Sequence, residues 1–417
     1  MLTTLTELLS IQSVAGNGTA QYPYGAGPAA ALDHVLALCR SMGFRTKNAA
    51  YRYGYAEIGD GPEIIGILAH LDTVPAGSGW HYPPFAATLA DGRLYGRGAQ
   101  DDKGPVVACI YAMKDLLDSG IPLRARIRLI LGQDEETGDW ADMKEYCRCE
   151  QPPTLGFTPD GAFPAIYAEK GVLLLCLSAP LEGSGFRLLH GGAAPNMVAD
   201  SCHAQLRDGQ QLTETGVTSH GSLPWEGQNA ITALLKGLAA RPAPPPYAVS
   251  YMRMVGEGFH GEGLGCGEMA DAISGRISVN AGLVETAEDR IRLYLDIRYP
   301  VTYRKEQVLA RVSAAAAVWG QTVTCRYESP PLHIEKESPL MQALLGAYRD
   351  VTGDMQGPIA IGGGSYARAM RNIAAFGPGF PGGANTEHGP DEYIRVQELQ
   401  MLREIYGNAL RRLLKEV

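Results

Sequence analysis

No apolar stretch in the 417-residue chain approaches the roughly 18 residues of a helical membrane span, so none is expected. The opening residues, MLTTLTELLSIQSV, lack both a basic segment and a long apolar run. Leu5, Leu8, Leu9 and Gln12 there read as a short amphipathic helix, and a signal peptide is not expected. Basic residues nowhere interleave with aromatics as a nucleic-acid groove requires. Lys and Arg number 36 against 45 Asp and Glu, a formal net charge of −9. That balance argues against nucleic acid or an anionic membrane as the main partner. Internal repeats and low-complexity tracts are absent. Paired cysteines are absent too: the eight are scattered, and Cys109 in VVACIYAM and Cys176 in VLLLCLS lie in apolar runs. Buried free thiols in a reducing compartment explain that usage, so the expected location is cytoplasmic. Cys147 and Cys149 form CRC, but no second pair stands near to complete a soft-metal site.

What the chain does have is length for two domains and a strand–helix rhythm. Glu63–His70, EIIGILAH, is a continuous apolar run ending in polar residues, as in a parallel strand buried on both faces. Gly104–Ser119 has Val106, Ile110, Met113 and Leu117 on one helical face, stopped by Gly120 and Pro122. Leu123–Glu136 alternates apolar residues with Arg124, Arg126 and Arg128, so it is expected to begin as a half-exposed strand. The order strand, helix, strand, helix, strand predicts an α/β fold: a catalytic domain with a mostly parallel mixed sheet flanked by helices. From about 172 to 330 the texture changes. Strand-like runs alternate with helices, interrupted by the Pro-rich RPAPPPY and the Gly-rich GEGFHGEGLGCG. The expected organisation is therefore a catalytic domain in two parts, 1–171 and 331–417, around an inserted α+β domain at 172–330.

The residues that carry chemistry fall in short, separated motifs: HLD at His70–Asp72, QDDKG at Gln100–Gly104, DEE at Asp134–Glu136, TPDG at Thr158–Gly161, and His388 in TEHGPDE. Most follow an apolar run, and sites in α/β sheets collect at the carboxyl ends of strands. Two histidines with several acids and no cysteine suit a pair of divalent ions, which is hydrolase chemistry.

HLDTVP, GRGAQDDKGP, DEETGDW, PTLGFTPD and SHGSLPWEGQNA together resemble the dinuclear zinc peptidases that include aminoacylases, carnosinase and the bacterial PepV dipeptidase. DDKGP, GDW, LGFTPD, AEKG and IGGGSYAR lean toward the PepV branch. The resemblance implies that His70 and Asp160 hold one ion, Glu136 and His388 the other, and that Asp101 bridges both. It implies Glu135 as general base, with Asp72 accepting from the second N–H of His70. A cis peptide after Asp101 is a further expectation. His220 matches a histidine that donates to the oxyanion, so the insertion is expected to act as a lid. Asn196 and Arg298 match residues that grip the peptide, and Gly363 and Gly364, in the triple glycine 362–364, could offer N–H groups to a substrate carboxylate.

The implied activity is hydrolysis of dipeptides or very short peptides with a free N-terminus. Rivals are an N-acyl amino acid amidohydrolase and a metal- or peptide-binding protein without catalysis. Two divalent ions are expected, zinc first, with manganese or cobalt as alternatives. A monomer and a homodimer are both open. Lys103 and Glu169 read as scaffold, and Asp391 and Glu392 as a solvated loop.

Overall fold

The computed structural model describes residues 1–417. The chain divides into two compact units, one built from residues 1–167, 334–359 and 364–417, the other from 168–333 and 360–363.

The first unit is α/β. Four strands lie parallel in the order Arg126–Gly132, Ile64–His70, Leu155–Thr158, Ile373–Ala375. Gly54–Ile58 and then Arg45–Asn48 add antiparallel strands beyond Arg126–Gly132. Every residue of Ile64–His70 is buried, as its unbroken apolar run requires. The helices Lys103–Asp118 and Pro339–Thr352 each pack on Val396–Leu413, and the first of them also packs on the sheet. Ser338 and Gly353 bracket the second of these: the Ser338 hydroxyl accepts the Met341 N–H, and Gly353 takes a left-handed conformation.

The half-exposed alternation expected from Leu123 holds at its start, with Arg124 exposed and Arg126 half-buried between the buried Ala125 and Ile127, and ends at Arg128. Arg126–Gly132 is an interior strand, buried beyond its first residue. Arg128 is tolerated because its Nε donates to Glu57 at 2.7 Å, its Nη1 to the Tyr146 hydroxyl at 3.0 Å, and its guanidinium lies over the Tyr55 ring. A buried charge survives only when paired in this way.

The second unit is a seven-stranded antiparallel sheet in the order Gln211–Thr215, Ser201–Leu206, Phe186–Gly191, Ser278–Ala287, Arg290–Tyr299, Gly171–Pro180, Thr322–Ser329. Leu173, Leu175, Leu177, Leu293, Leu295 and Ile297 build its core. Ala230–Ala239 and Lys305–Val318 supply Ile231, Leu235, Val308 and Val312 to the same core. The Pro-rich segment is only in part a turn: its last residues open the helix Pro246–Met254. Proline fits there because its missing N–H falls among the groups a helix start leaves unbonded.

Candidate metal centre

His70 is the last residue of its strand and pairs in register with Gly132, so the residues after both emerge side by side. Thr158 ends the next strand, two residues before Asp160. The metal-type residues therefore meet at the carboxyl ends of the parallel strands. His70, Asp101 and Glu136 bring one ligand atom each within 4.8 Å of one another, and so do His70, Glu135 and Asp160. His388 joins them, its Nε2 2.9 Å from Asp101 Oδ2 and 3.2 Å from Glu136 Oε2. Asp101 divides its oxygens between the two rings, with Oδ1 2.8 Å from His70 Nε2.

Adjacent acids at 101–102 do different work. The peptide bond between them is cis. Asp101 faces the imidazoles, while Asp102 turns inward and accepts the backbone N–H of His70 at 3.2 Å.

The ring of His70 turns Nδ1 toward Asp72. Its Nδ1–H donates to the backbone carbonyl of Asp72 at 3.1 Å, and the Asp72 carboxylate stands farther off, at 3.6 Å. Nδ1 thus faces Asp72, and Nε2 is the nitrogen turned to the cluster, 2.8 Å from Asp101 Oδ1. The Asp72 carboxylate has another task. It accepts the backbone N–H groups of Glu135 at 3.3 Å and Glu136 at 3.0 Å.

Asp142 completes that arrangement. Its Oδ2 accepts the N–H groups of Gln133 at 2.6 Å and Asp134 at 3.0 Å, and the Tyr366 hydroxyl at 2.7 Å. Four consecutive N–H groups, 133 to 136, thus end on two carboxylates. The turn they hold lets Glu135 and Glu136 both face the cluster, whereas a strand would send them to opposite sides. Gly132 must be glycine for this approach, because a Cβ there would stand 2.4 Å from the Tyr366 hydroxyl and 2.7 Å from Asp142 Oδ2. Neither Asp142 nor Tyr366 is legible as a site residue, although Asp142 follows GDW by two positions and Tyr366 lies within GGGSYAR. Asp142→Asn exchanges one accepting oxygen for an N–H₂ that faces donors. We expect activity to fall about 10–100-fold, the usual cost of losing an outer-shell partner. Steady-state kinetics on the folded variant, with metal content measured alongside, checks it.

The electrostatics ask for positive charge. Burial, and then Asp160, push the Glu135 carboxyl well above its usual range. Burial and Asp101 push up Glu136. Glu387, which accepts from Gln100 Nε2 at 3.0 Å, rises to about 8 through burial and then through Asp101 and Asp160. Hydrogen bonds to Asp101 and Glu136 raise His388 to about 11. Crowded carboxylates that resist ionising together, around two imidazoles whose Nε2 atoms face them, are the donor set hard-to-borderline divalent cations take once those rings give up their protons. The residues fit such ions.

Lys103 is scaffold, its buried Nζ donating to the carbonyls of Leu8 at 3.2 Å and Ile11 at 2.7 Å. Gly364 stands against the Arg368 side chain.

The second unit gathers the other expected residues. His220 Nδ1 stands 2.6 Å from the Ser222 hydroxyl and 3.2 Å from the Ser222 backbone N–H. Asn196 is exposed, and its carbonyl accepts the Gly221 N–H at 2.7 Å, which sets it beside His220. Arg298 is buried and already engaged: Nε and Nη2 fork onto Asp296 at 2.7 and 2.8 Å, and Nη1 donates to the Gly362 carbonyl at 2.9 Å. Gly362 lies next to Gly363 and packs on Ser222. Asn196, His220, Arg298 and Gly362 thus belong to one neighbourhood of this unit.

Comparison with known proteins agrees with the fold. "Putative dipeptidase YtjP" of Bacillus subtilis strain 168 is 34% identical over 450 residues, covering 98% of this chain and 96% of that protein. The M20 family metallo-carboxypeptidase Sso-CP2 of Sulfolobus solfataricus shares the fold with a TM-score of 0.64 at 18% identity, over 100% of this chain and 99% of that one. Human carnosine dipeptidase 1 does so with a TM-score of 0.63 at 17% identity, over 99% and 96% of the two chains. The signature of peptidase family M20/M25/M40 matches residues 66–412, a span that holds every residue of the cluster, and the chain belongs to that family.

Proposed function

We propose that this protein is a dipeptidase that hydrolyses dipeptides or very short peptides with a free N-terminus, with two divalent ions as cofactors. The observation that carries the reading is the convergence of His70, Asp101, Glu135, Glu136, Asp160 and His388 at the strand ends. The dipeptidase names of YtjP and the human protein support the substrate class.

His70 and Asp160 would hold one ion, Glu136 and His388 the other, and Asp101 both. Zinc is our choice, with manganese or cobalt as alternatives. Such ions polarise a carbonyl oxygen and lower the pKa of water to about 7. Glu135 takes the proton of the attacking water and passes it to the leaving amine. Desolvation, which favours its protonated form, suits a group that must hold a proton between the two steps. His220, its Nδ1 engaged by Ser222, donates from Nε2 to the developing oxyanion, the part expected of it as a residue of a lid. Asn196 orients the peptide. Three of the five N–H groups of Arg298 are engaged, and the pair left on Nη1 and Nη2 suits a substrate carboxylate, with Gly363 and Gly364 offering backbone N–H groups to it.

The test is a panel of dipeptides beside their N-acetylated forms, assayed with added zinc, manganese or cobalt. The reading predicts cleavage of the free-amine peptides. Preference for the acetylated forms would replace it with deacylation.

A further inference from the structure

Arg97 and Glu392 are both 1% exposed, yet they are fully charged residue types in a loop region. Their ion pair is short, with Arg97 Nη1 2.6 Å from Glu392 Oε2. Tyr393–Arg395 pairs antiparallel with Arg93–Tyr95, which is how residues so far apart in the chain come together.

The partners of this pair are the unusual part. Glu392 Oε2 also accepts the Gly98 N–H at 3.0 Å. Its Oε1 accepts the N–H of Gln100 at 2.9 Å and of Asp101 at 3.2 Å. Arg97 Nη2 donates to the carbonyl of His388 at 3.1 Å and of Ala76 at 3.3 Å. Two side chains thus grip the backbone of Asp101, the backbone of His388, and the segment that follows His70 and Asp72. A buried ion pair contributes little net stability against an apolar replacement, so its value lies in what it orders.

We propose that Arg97 and Glu392 are positioning residues for the metal centre: they set the spacing between Asp101 and His388, and so the affinity for divalent ions. This rests on the metal-ligand reading above. Neither side chain is assigned any contact with substrate. Glu392→Gln keeps the shape but places an N–H₂ opposite either the Arg97 and Gly98 donors or the Gln100 and Asp101 donors. Arg97→Lys keeps the charge but loses the planar fork that serves Glu392 and the His388 carbonyl together.

The experiment is a zinc titration of the whole protein against a chromophoric chelator, with the cobalt absorption spectrum as a second readout. Leu410→Ala, a change at a buried apolar residue of Val396–Leu413 that is assigned no part in the centre, is the control for general destabilisation. We expect both Glu392→Gln and Arg97→Lys to weaken zinc binding about 10–100-fold and to shift the cobalt spectrum. At saturating metal, KM for a dipeptide should stay near that of the unaltered protein. The control should lower Tm and leave the isotherm in place. A folded Glu392→Gln or Arg97→Lys with an unchanged isotherm would overturn the proposal, as would a control that weakens binding equally. Absence of zinc binding by the unaltered chain would overturn the metal-centre reading along with it. If Glu392→Gln does not fold, the milder Arg97→Lys decides the matter.

Discussion

Glu135→Gln is expected to lower kcat by about 10²–10⁴-fold, the range removed with a general base, while the protein keeps its metal. Glutamine matches the shape of glutamate but cannot take a proton from water. The backbone of residue 135 is held from outside its side chain, by the Asp72 carboxylate on its N–H and by Trp140 Nε1 on its carbonyl at 3.2 Å. The turn should therefore survive the change, and Glu136 should stay where it is. Nor is Glu135 among the residues assigned to hold an ion. Its loss should thus separate chemistry from binding. Metal analysis and single-turnover kinetics on the same preparation check the prediction, and near-normal turnover would remove Glu135 from the role of base.

Asp101→Asn should do the opposite. Here metal binding itself is expected to fall, by at least the roughly 10–100-fold that loss of an outer partner costs, and activity should fall with it. Asp101 stands between the rings, Oδ1 toward His70 and Oδ2 toward His388. Burial opposes its ionisation, but the hydrogen bonds from His388 and His70 outweigh this and hold its carboxyl below the usual range. An asparagine keeps one oxygen and turns an N–H₂ toward the other ring, so only one side of the centre retains its ligand. A competition assay with zinc reads the change directly. Together the two variants give contrasting signatures, metal retained without turnover against metal and turnover lost together.

Much of this was readable in advance, because the residues that carry chemistry stand in short motifs at strand ends. An apolar run ending in HLD states both the strand and what it delivers, and DEE after LILG does the same. The supports are a different matter. Glu392 reads as one more acid in a polar loop; its partner Arg97 lies 295 positions away, and only the pairing of Tyr393–Arg395 with Arg93–Tyr95 explains its burial. Arg128 alternates with apolar residues as an exposed strand position would, and Glu57 and Tyr146 reverse that reading. Asp72, matched in sequence to the ring of His70, also accepts the N–H groups of Glu135 and Glu136 on its carboxylate. In each case local pattern gave the residue, and a partner distant in the chain decided what the residue does. Arg298 shows the same limit in part: Asp296, which takes two of its N–H groups, is a neighbour in the same strand, but the Gly362 carbonyl that takes a third comes from far along the chain.

The central claim is that the cluster at the strand ends is a two-ion centre that cleaves peptides. The most direct measurement follows metal content and dipeptide hydrolysis on one sample, through chelation and stepwise return of zinc, manganese or cobalt. The account predicts that activity disappears with the metal and returns as two equivalents are restored. Hydrolysis that persists in the metal-free protein, or a chain that binds no divalent ion at these residues, would contradict it.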